Sequence, residues 1–597
     1  MKKQMVMGNQ AIALGAIYAG VNLVAGYPGT PSTEILETVA KNNPGDIYVE
    51  WSVNEKAALE VAAGASYSGA RTLVTMKQVG LNVASDPLMS LNYVGIKGGM
   101  VIAVADDPGP ISSQTEQDTR CFAEFAKMMV FDPSSPSEAY QMVQDAYLYS
   151  EKYQVPVFLR PTTRVCHGYQ SIEIDEKRNL HEVDGFVKDT SRWVIFPRLS
   201  YENHIKLEEK MVQIADEFSD YAGNLVTGNG KKGIVCGGVS YEYVREVLGD
   251  REDIRLLKIG TPNPFPEKLV ISFLQNLEEV IVFEELDPVI ERHLYMLCGK
   301  NHLAVNIVGK LTHHVKNAGE NTVASVSESL AHFMNDDSLA VKQGEWLGEE
   351  PKLPVRPPVL CAGCPHRASF YAVKCAMQGQ KANFAGDIGC YTLGNAKPLD
   401  MVDTCLCMGA DITIAQGLKR MNQDTVNFAF IGDSTFFASG MTGVVNAVYN
   451  ETDITIIVLD NSTTAMTGHQ PHPGTGVTMM GEISQKVSIE KILVAIGLKL
   501  VETVDPLDFS KAVQTVKRVS KEPGVKAVIF KSPCIAVTKP EKPLKINTEK
   551  CIQCKKCVRE LGCPAIDLKE GQVHIEPSLC FGCNLCSFVC PVGAIER

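Results

Sequence analysis

The chain has 597 residues, 45% of them hydrophobic, and a formal net charge of −12. That length implies several domains with ample core. The acidic balance argues against a nucleic-acid partner, which would want a basic face, and no apolar stretch reaches bilayer-spanning length, so no membrane partner is expected.

Residues 11 to 27 are mostly apolar, but Asn22 and several glycines interrupt them and they run straight into YPGTPSTE. They read as a buried helix and strand rather than a leader, which places the 19 cysteines in a reducing cytoplasm. Over residues 1–185 the strand-like runs VNLVAGY, RTLVTMK and MVIAVAD alternate with helix-like stretches, the pattern of a parallel α/β sheet. This block carries GYPGTPSTEI (26 to 35) and a small-residue helix, 54 to 68, with Glu55 just inside its start. A first-turn glutamate is also favoured by the helix dipole alone, and Glu60 is a rival on the same helix.

A second α/β domain is expected over 186–345, with a polar connector to about 229 and then the strands GIVCGGVS, IRLLKIG and EEVIVFEE. Proline-rich passages mark linkers at 346–357 and 537–547. They isolate a third block, 358–536, and a tail, 548–597.

In the third block VNFAFI ends at Gly432-Asp433-Ser434, a helix-compatible segment follows, and ITIIVL ends at Asp460-Asn461. A right-handed β-α-β crossover brings both strand ends to one edge of the sheet, where such folds bind ligands. A carboxylate and an amide oxygen side by side there suit Mg²⁺ carrying a diphosphate, and Gly432 would let the backbone approach the phosphates. GDS and DNS also suit ordinary turns after buried strands.

The tail packs 8 cysteines into residues 551 to 590. Cys580, Cys583, Cys586 and Cys590-Pro591 follow C-x2-C-x2-C-x3-C-P, the bacterial [4Fe–4S] ferredoxin run. Cys551, Cys554 and Cys557 repeat its first three positions, and Cys563-Pro564 follows after a longer gap. Because the fourth cysteine of each run ligates the other cluster, the expected sets are Cys551, Cys554, Cys557, Cys590 and Cys580, Cys583, Cys586, Cys563. Paired C-x2-C knuckles also hold zinc, but two triplets each closed by Cys-Pro fit clusters better.

The GDS…DNS pair resembles the thiamine diphosphate motif, with Ser434 in place of a usual glycine. By that resemblance Asp433, Asn461 and the carbonyl of Thr463 bind Mg²⁺. Together with GYPGTPSTEI, the Glu55 helix, LCAGCPHR (360 to 367), DIGCYTLG (387 to 394) and the cluster runs, the motif set resembles the 2-oxoacid:ferredoxin oxidoreductases across nearly the whole chain. Its order is most similar to that of the large α subunits of the indolepyruvate type. The resemblance implies an α/β, multi-domain protein of parallel-sheet thiamine diphosphate-binding folds, with the 186–345 block like a transketolase C-terminal domain and the tail a two-cluster ferredoxin-like domain.

It further implies that Glu55 hydrogen-bonds N1′ of the thiamine aminopyrimidine, which puts the cofactor at an interface between two domains. Thr30 would bind the 2-oxoacid carboxylate, unless its Pro-Gly turn merely caps the next helix through Ser32. His469 and Arg120 are weaker candidates, each more often a surface residue than a ligand. Cys361, Cys364, Cys390 and Cys534 would hold a third [4Fe–4S] cluster beside the thiamine, although Pro365-His366 departs from the family pattern. Cys405 and Cys407 would line the diphosphate pocket, and Cys121, Cys166, Cys236, Cys298 and Cys375 read as core residues. The implied reaction oxidatively decarboxylates an aryl 2-oxoacid to an aryl-acetyl-coenzyme A, with coenzyme A as co-substrate and electrons passing to ferredoxin. A small β subunit would complete a heterodimer, and a dimer of heterodimers is expected. The alternatives are the same reaction on branched-chain or other 2-oxoacids, or a non-redox thiamine decarboxylase.

Overall fold

The structure, a computed structural model, describes residues 2–340 and 353–597. It divides into two compact units, Met1–Glu349 and Glu350–Arg597. Of the linker expected at 346–357, residues 346–352 lie outside the described residues and 353–357 have no regular secondary structure.

In the first unit β1 (Lys2–Met7) is followed by β2 (Leu23–Gly26), β3 (Tyr48–Trp51), β4 (Thr72–Lys77), β5 (Met100–Ala105), β6 (Met129–Phe131) and β7 (Val157–Leu159). The latter six form one parallel sheet in the order 3-2-4-5-7-6. Every residue of the run Met100–Ala105 is buried, as in a central parallel strand with both faces covered. Then β8 (Tyr169–Ile174) returns antiparallel to β1. The polar connector that follows is largely one helix, Pro197–Phe218, which buries only Leu207, Ile214 and Phe218. Their seven- and four-residue spacing makes a single narrow stripe.

The unit's second sheet contains β9 (Leu225–Thr227), β10 (Lys232–Gly237), β11 (Arg255–Ile259), β12 (Glu279–Phe283) and β13 (Asn306–Val308) in the order 13-12-10-11-9. All are parallel except the edge strand β9.

Buried charges from strand ends join the two sheets. Arg160, just past β7, pairs with Asp106 past β5 at 2.7 Å and with Asp132 past β6 at 3.2 Å. Arg120, which the sequence marks as a surface or ligand residue, is neither: its side chain is 1% exposed and pairs with Asp118 at 2.6 Å and Glu284 at 2.9 Å. It also donates to the carbonyl of Glu285 at 2.6 Å. The reason is positional, because Arg120 lies in the first turn of the helix Thr119–Ala126, which carries it into the seam below β12.

The second unit has β14 (Ala382–Ala385), β15 (Val426–Gly432), β16 (Thr455–Asp460), β17 (Leu500–Val504) and β18 (Lys526–Lys531), all parallel in the order 14-15-16-18-17. The tail adds two antiparallel ribbons, β19 (Lys545–Ile546) with β22 (Ile595–Glu596), and β20 (Ile566–Lys569) with β21 (Gln572–Ile575). Phe370 and Tyr371 of the sheet's flanking helix share one buried core with Leu544, Leu561 and Leu585 of the tail, so tail and sheet pack as one body.

Replacing Arg120 by Met would strand Glu284 as a buried carboxylate without its ion-pair partner and leave Asp118 with only Arg160, at 3.8 Å. The expected cost to the first unit is about 3–5 kcal/mol, read by urea unfolding. A loss below about 1 kcal/mol, the range of an exposed pair, would show that the seam does not depend on this pairing.

Candidate active site

β15 and β16 pair in register up to Gly432 opposite Leu459, so the residues that follow emerge together at one edge of the sheet. Asp433 accepts from the Ser434 amide at 2.9 Å through Oδ1 and from the Ser462 amide at 2.8 Å through Oδ2. His472 Nε2 lies 3.1 Å from the same Oδ2. Asn461 places its Nδ2 3.1 Å from His366 Nε2 and accepts from the Thr463 amide at 3.2 Å. Asp433, Asn461, Thr463, His366 and His472 are all buried. Burial pulls His366 down to about 4, so its ring is neutral and can accept the Asn461 amide proton. The edge thus offers oxygen donors of the hard type that Mg²⁺ prefers. The residues present fit a magnesium diphosphate.

Gly432 has a further reason to be glycine. A Cβ there would come within 2.5 Å of the Tyr391 ring. Tyr391 donates to Asp387 at 2.7 Å and lies 3.1 Å from the Thr435 hydroxyl, while Gly409 donates its amide to Asp387 at 2.8 Å. Burial pushes Asp387 up to about 6. Asp411 is wholly buried, no side chain among the described residues hydrogen-bonds its carboxylate, and burial, then Asp387, push it well above the carboxylate range. Cys405, exposed, lies near enough to Asp387 to feel its charge, and Cys407 is also exposed.

No described cysteine is in a disulfide. Cys551, Cys554, Cys557 and Cys590 line one cavity in the tail. Cys563, Cys580, Cys583 and Cys586 line another, and Cys364 reaches its wall. The two groupings are the crossed sets that the run spacing implies. Cys390 is pushed up to about 11 by burial and then by Cys534 and Cys361, and Cys364 feels Cys361, so these four thiols lie within electrostatic reach of one another. The Cys534 amide donates to the Asn461 carbonyl at 2.9 Å, which ties this group to the magnesium-type edge. Tetrahedral zinc, with Zn–S near 2.3 Å, needs sulfurs less than about 4 Å apart. Among the described residues only Asp118, Cys121 and Asp287 bring three such donor atoms within 4.8 Å of one another. No described cysteine set is drawn that close together. Cys166, Cys236 and Cys298 are core residues as expected, while Cys121 and Cys375 are only partly buried.

In the first unit the helix Glu55–Tyr67 starts at Asn54, whose side chain accepts from the Ala57 amide at 2.9 Å. Glu55 is buried against Gly80, where a Cβ would meet its Oε1 at 2.4 Å. Glu60 is exposed and pairs with Lys56 at 2.6 Å, which separates the two rivals. Lys77, at the end of β4, feels the charge of Glu55 and donates to the Ser112 carbonyl at 3.1 Å, and Ser112 Oγ donates to the Thr30 carbonyl at 3.2 Å. A Cβ on Gly29 would meet Lys77 Cδ at 2.9 Å, so this lysine lies between Glu55 and the Thr30 loop. Ser32 donates to the Gly29 carbonyl at 2.9 Å and makes no side-chain cap. His469 is exposed. Sequence reasoning missed Lys77, His366, His472, Asp387 and Asp411. Proximity to the named motifs in sequence was the available signal for His366 and His472.

Fold and site together define a thiamine enzyme that carries its own iron–sulfur module. Residues 14–213 match the pyruvate flavodoxin/ferredoxin oxidoreductase thiamine diphosphate-binding family, 387–529 the thiamine pyrophosphate enzyme C-terminal TPP-binding domain, and 544–597 the 4Fe–4S dicluster domain. The indolepyruvate oxidoreductase subunit IorA of Methanothermobacter thermautotrophicus is 40% identical over 608 residues, covering 100% of this chain and 97% of that protein. IorA of Pyrococcus horikoshii is 38% identical over 632 residues with the same coverage. A solved 2-oxoglutarate:ferredoxin oxidoreductase from Magnetococcus marinus aligns with 56% of this chain and 65% of its own, at 18% identity and a TM-score of 0.44. The chain belongs to the indolepyruvate oxidoreductase IorA family, and it is a thiamine diphosphate-dependent 2-oxoacid:ferredoxin oxidoreductase with iron–sulfur clusters. Among the described residues no helix is long and apolar enough to cross a membrane.

Burial pushes Glu55 up to about 7, against the opposing pull of its helix-start backbone and Lys77. Its folded-state value lies above the ordinary 4.5, so the folded chain keeps a proton that the unfolded chain releases, and stability from this group falls as pH rises from about 4.5 through about 7. In the cofactor-free chain, the Tm of Glu55→Gln minus that of the parent should therefore rise across this window. A flat difference would mean that Glu55 is ionised throughout.

Proposed function

We propose that this chain is the large subunit of an enzyme that oxidatively decarboxylates an aryl 2-oxoacid such as indolepyruvate, giving the aryl-acetyl-coenzyme A, CO₂ and reduced ferredoxin. The observation that carries the reading is full-length identity with IorA proteins, whose name states the substrate. Thiamine diphosphate supplies the electron sink for decarboxylation when bound. Asp433, Asn461 and the Thr463 carbonyl hold Mg²⁺ and through it the diphosphate. Gly432 and Ser434 line that edge, and the Ser462 amide and His472 keep Asp433 aimed. Support comes from the hydrogen bonds that converge there.

Glu55 would hold and exchange the proton at the aminopyrimidine N1′ of bound thiamine, a task suited to a carboxyl poised near neutrality. Thr30 orients the substrate carboxylate. Cys551, Cys554, Cys557 and Cys590 hold one [4Fe–4S] cluster, Cys563, Cys580, Cys583 and Cys586 a second, and Cys361, Cys364, Cys390 and Cys534 a third beside the thiamine site. A small β subunit completes the heterodimer, in keeping with relatives that are named as subunits.

Asp433→Ala should lose bound thiamine diphosphate while the tail clusters keep their EPR signals. Retained thiamine with normal turnover would sink the metal-site assignment. Glu55→Gln should keep the cofactor but lower kcat about 10²–10⁴-fold. Near-normal turnover in that variant would remove Glu55 from the acid–base role.

Co-expression with the β subunit should give a heteromeric complex that reduces ferredoxin with indolepyruvate and coenzyme A. Equal rates with a branched-chain 2-oxoacid would overturn the aryl preference.

A further inference from the structure

Arg367 lies in the first turn of the helix Pro365–Ala376, three residues after Cys364, and is 4% exposed. Its hydrogen-bond partners are all backbone carbonyls. Nη1 donates to Leu561 at 2.6 Å and to Gly562 at 2.9 Å, and Nη2 donates to Leu360 at 2.5 Å and to Cys361 at 3.5 Å. Leu360 immediately precedes Cys361, and Gly562 immediately precedes Cys563. The guanidinium therefore bridges the chain just ahead of one cysteine from each of two sets. Its Nε is buried without a partner, and among the described residues no carboxylate pairs with it.

A buried cation without a counter-ion is costly. The carbonyls satisfy most of its donors but do not neutralise its charge. The groups beside it that would become anionic as cluster ligands are thiols, because Arg367 lines the cavity formed by Cys563, Cys580, Cys583 and Cys586, and Cys364 lines the same cavity from the sheet side. The charge of Arg367 is felt at both Cys583 and Cys364. At the other tail cavity the cations are Lys555, partly exposed, and Arg559, exposed, which donates to the Cys554 carbonyl, so both are screened by solvent.

We propose that Arg367 is the buried counter-charge of the cluster held by Cys563, Cys580, Cys583 and Cys586, raising its reduction potential above that of the cluster held by Cys551, Cys554, Cys557 and Cys590. A cluster held there would gain one unit of negative charge for each electron it accepted from the 2-oxoacid oxidation. A fixed neighbouring cation stabilises that reduced form, since net charge and surroundings set cluster potentials. With Cys364 at its wall, the Arg367-lined cavity is the entry point of the tail, and the Cys551 cavity is the exit towards ferredoxin. Arg367 is thus a positioning residue for electrons, acting through the cluster rather than touching substrate.

The inference rests on the reading that each cavity holds a cluster, and the iron content of the unmodified protein tests that reading separately. The experiment is an EPR-monitored redox titration of the anaerobic complex with its β subunit, comparing the parent, Arg367→Met and Arg367→Lys. Arg367→Met should lower the potential of one tail cluster so that its reduced:oxidised ratio at fixed poise falls about tenfold or more, about 59 mV for a one-electron couple. The other tail cluster should not move, and Arg367→Lys, which keeps the charge, should stay within a few-fold of the parent. Unchanged potentials in Arg367→Met with full iron content would overturn the proposal, as would an equal fall in Arg367→Lys.

If Arg367→Met fails to hold iron, the parent still decides. The gap between its two tail potentials should persist at high salt, because a buried charge is poorly screened. A missing gap, or one that closes with salt, would assign the potentials to surface charges instead.

Discussion

Parallel pairing of β15 with β16 is the constraint on which the chemistry of the second unit depends. It brings Asp433 and Asn461 to the same edge of one sheet, where the Ser462 amide crosses from one strand end to the carboxylate of the other at 2.8 Å. The same edge collects groups from elsewhere in the chain. His366 arrives on the helix that follows Cys364, and the Cys534 amide is tied to the Asn461 carbonyl. Slipping β15 against β16 by one residue would turn every side chain to the opposite face. It would therefore cost the oxygen-donor set and the thiol grouping together.

Desolvation sets the charge state of the residues around this edge and around Glu55. Burial moves Glu55 up to about 7, Asp387 up to about 6 and His366 down to about 4, so at neutral pH Glu55 is poised between its two forms and His366 is neutral, while Asp387 keeps most of its charge and accepts from Tyr391 and Gly409. A carboxyl so poised suits the proton exchange proposed for Glu55. The border with the tail follows the opposite rule. There a permanent cation, Arg367 on the helix Pro365–Ala376, is buried among carbonyls beside tail thiols, an arrangement that suits an anionic cluster.

Much of this was legible in the sequence because it is local. The buried runs around residues 72–77, 100–105, 426–432 and 455–460 are largely apolar and form central parallel strands. The crossed cysteine sets follow from spacing and line separate cavities. What stayed hidden depends on tertiary packing. Arg120 reads as a polar surface residue, yet a first-turn position carries it into the seam between two sheets. Lys77 carries no motif, and only the pairing of β2 with β4 brings it between Glu55 and the Thr30 loop. Asp411 reads as an ordinary helix-start acid and is wholly buried beside Asp387.

The central claim is that electrons reach the clusters only through the thiamine site. Its most direct test is anaerobic stopped-flow mixing of the complex with 2-oxoacid, following the visible iron–sulfur absorbance in thiamine-loaded and thiamine-stripped protein of equal iron content. Bleaching is expected in the loaded protein and should vanish in the stripped one, returning when thiamine diphosphate and Mg²⁺ are added back. Bleaching that persists without thiamine, or fails to occur with the full cofactor set, would contradict the claim.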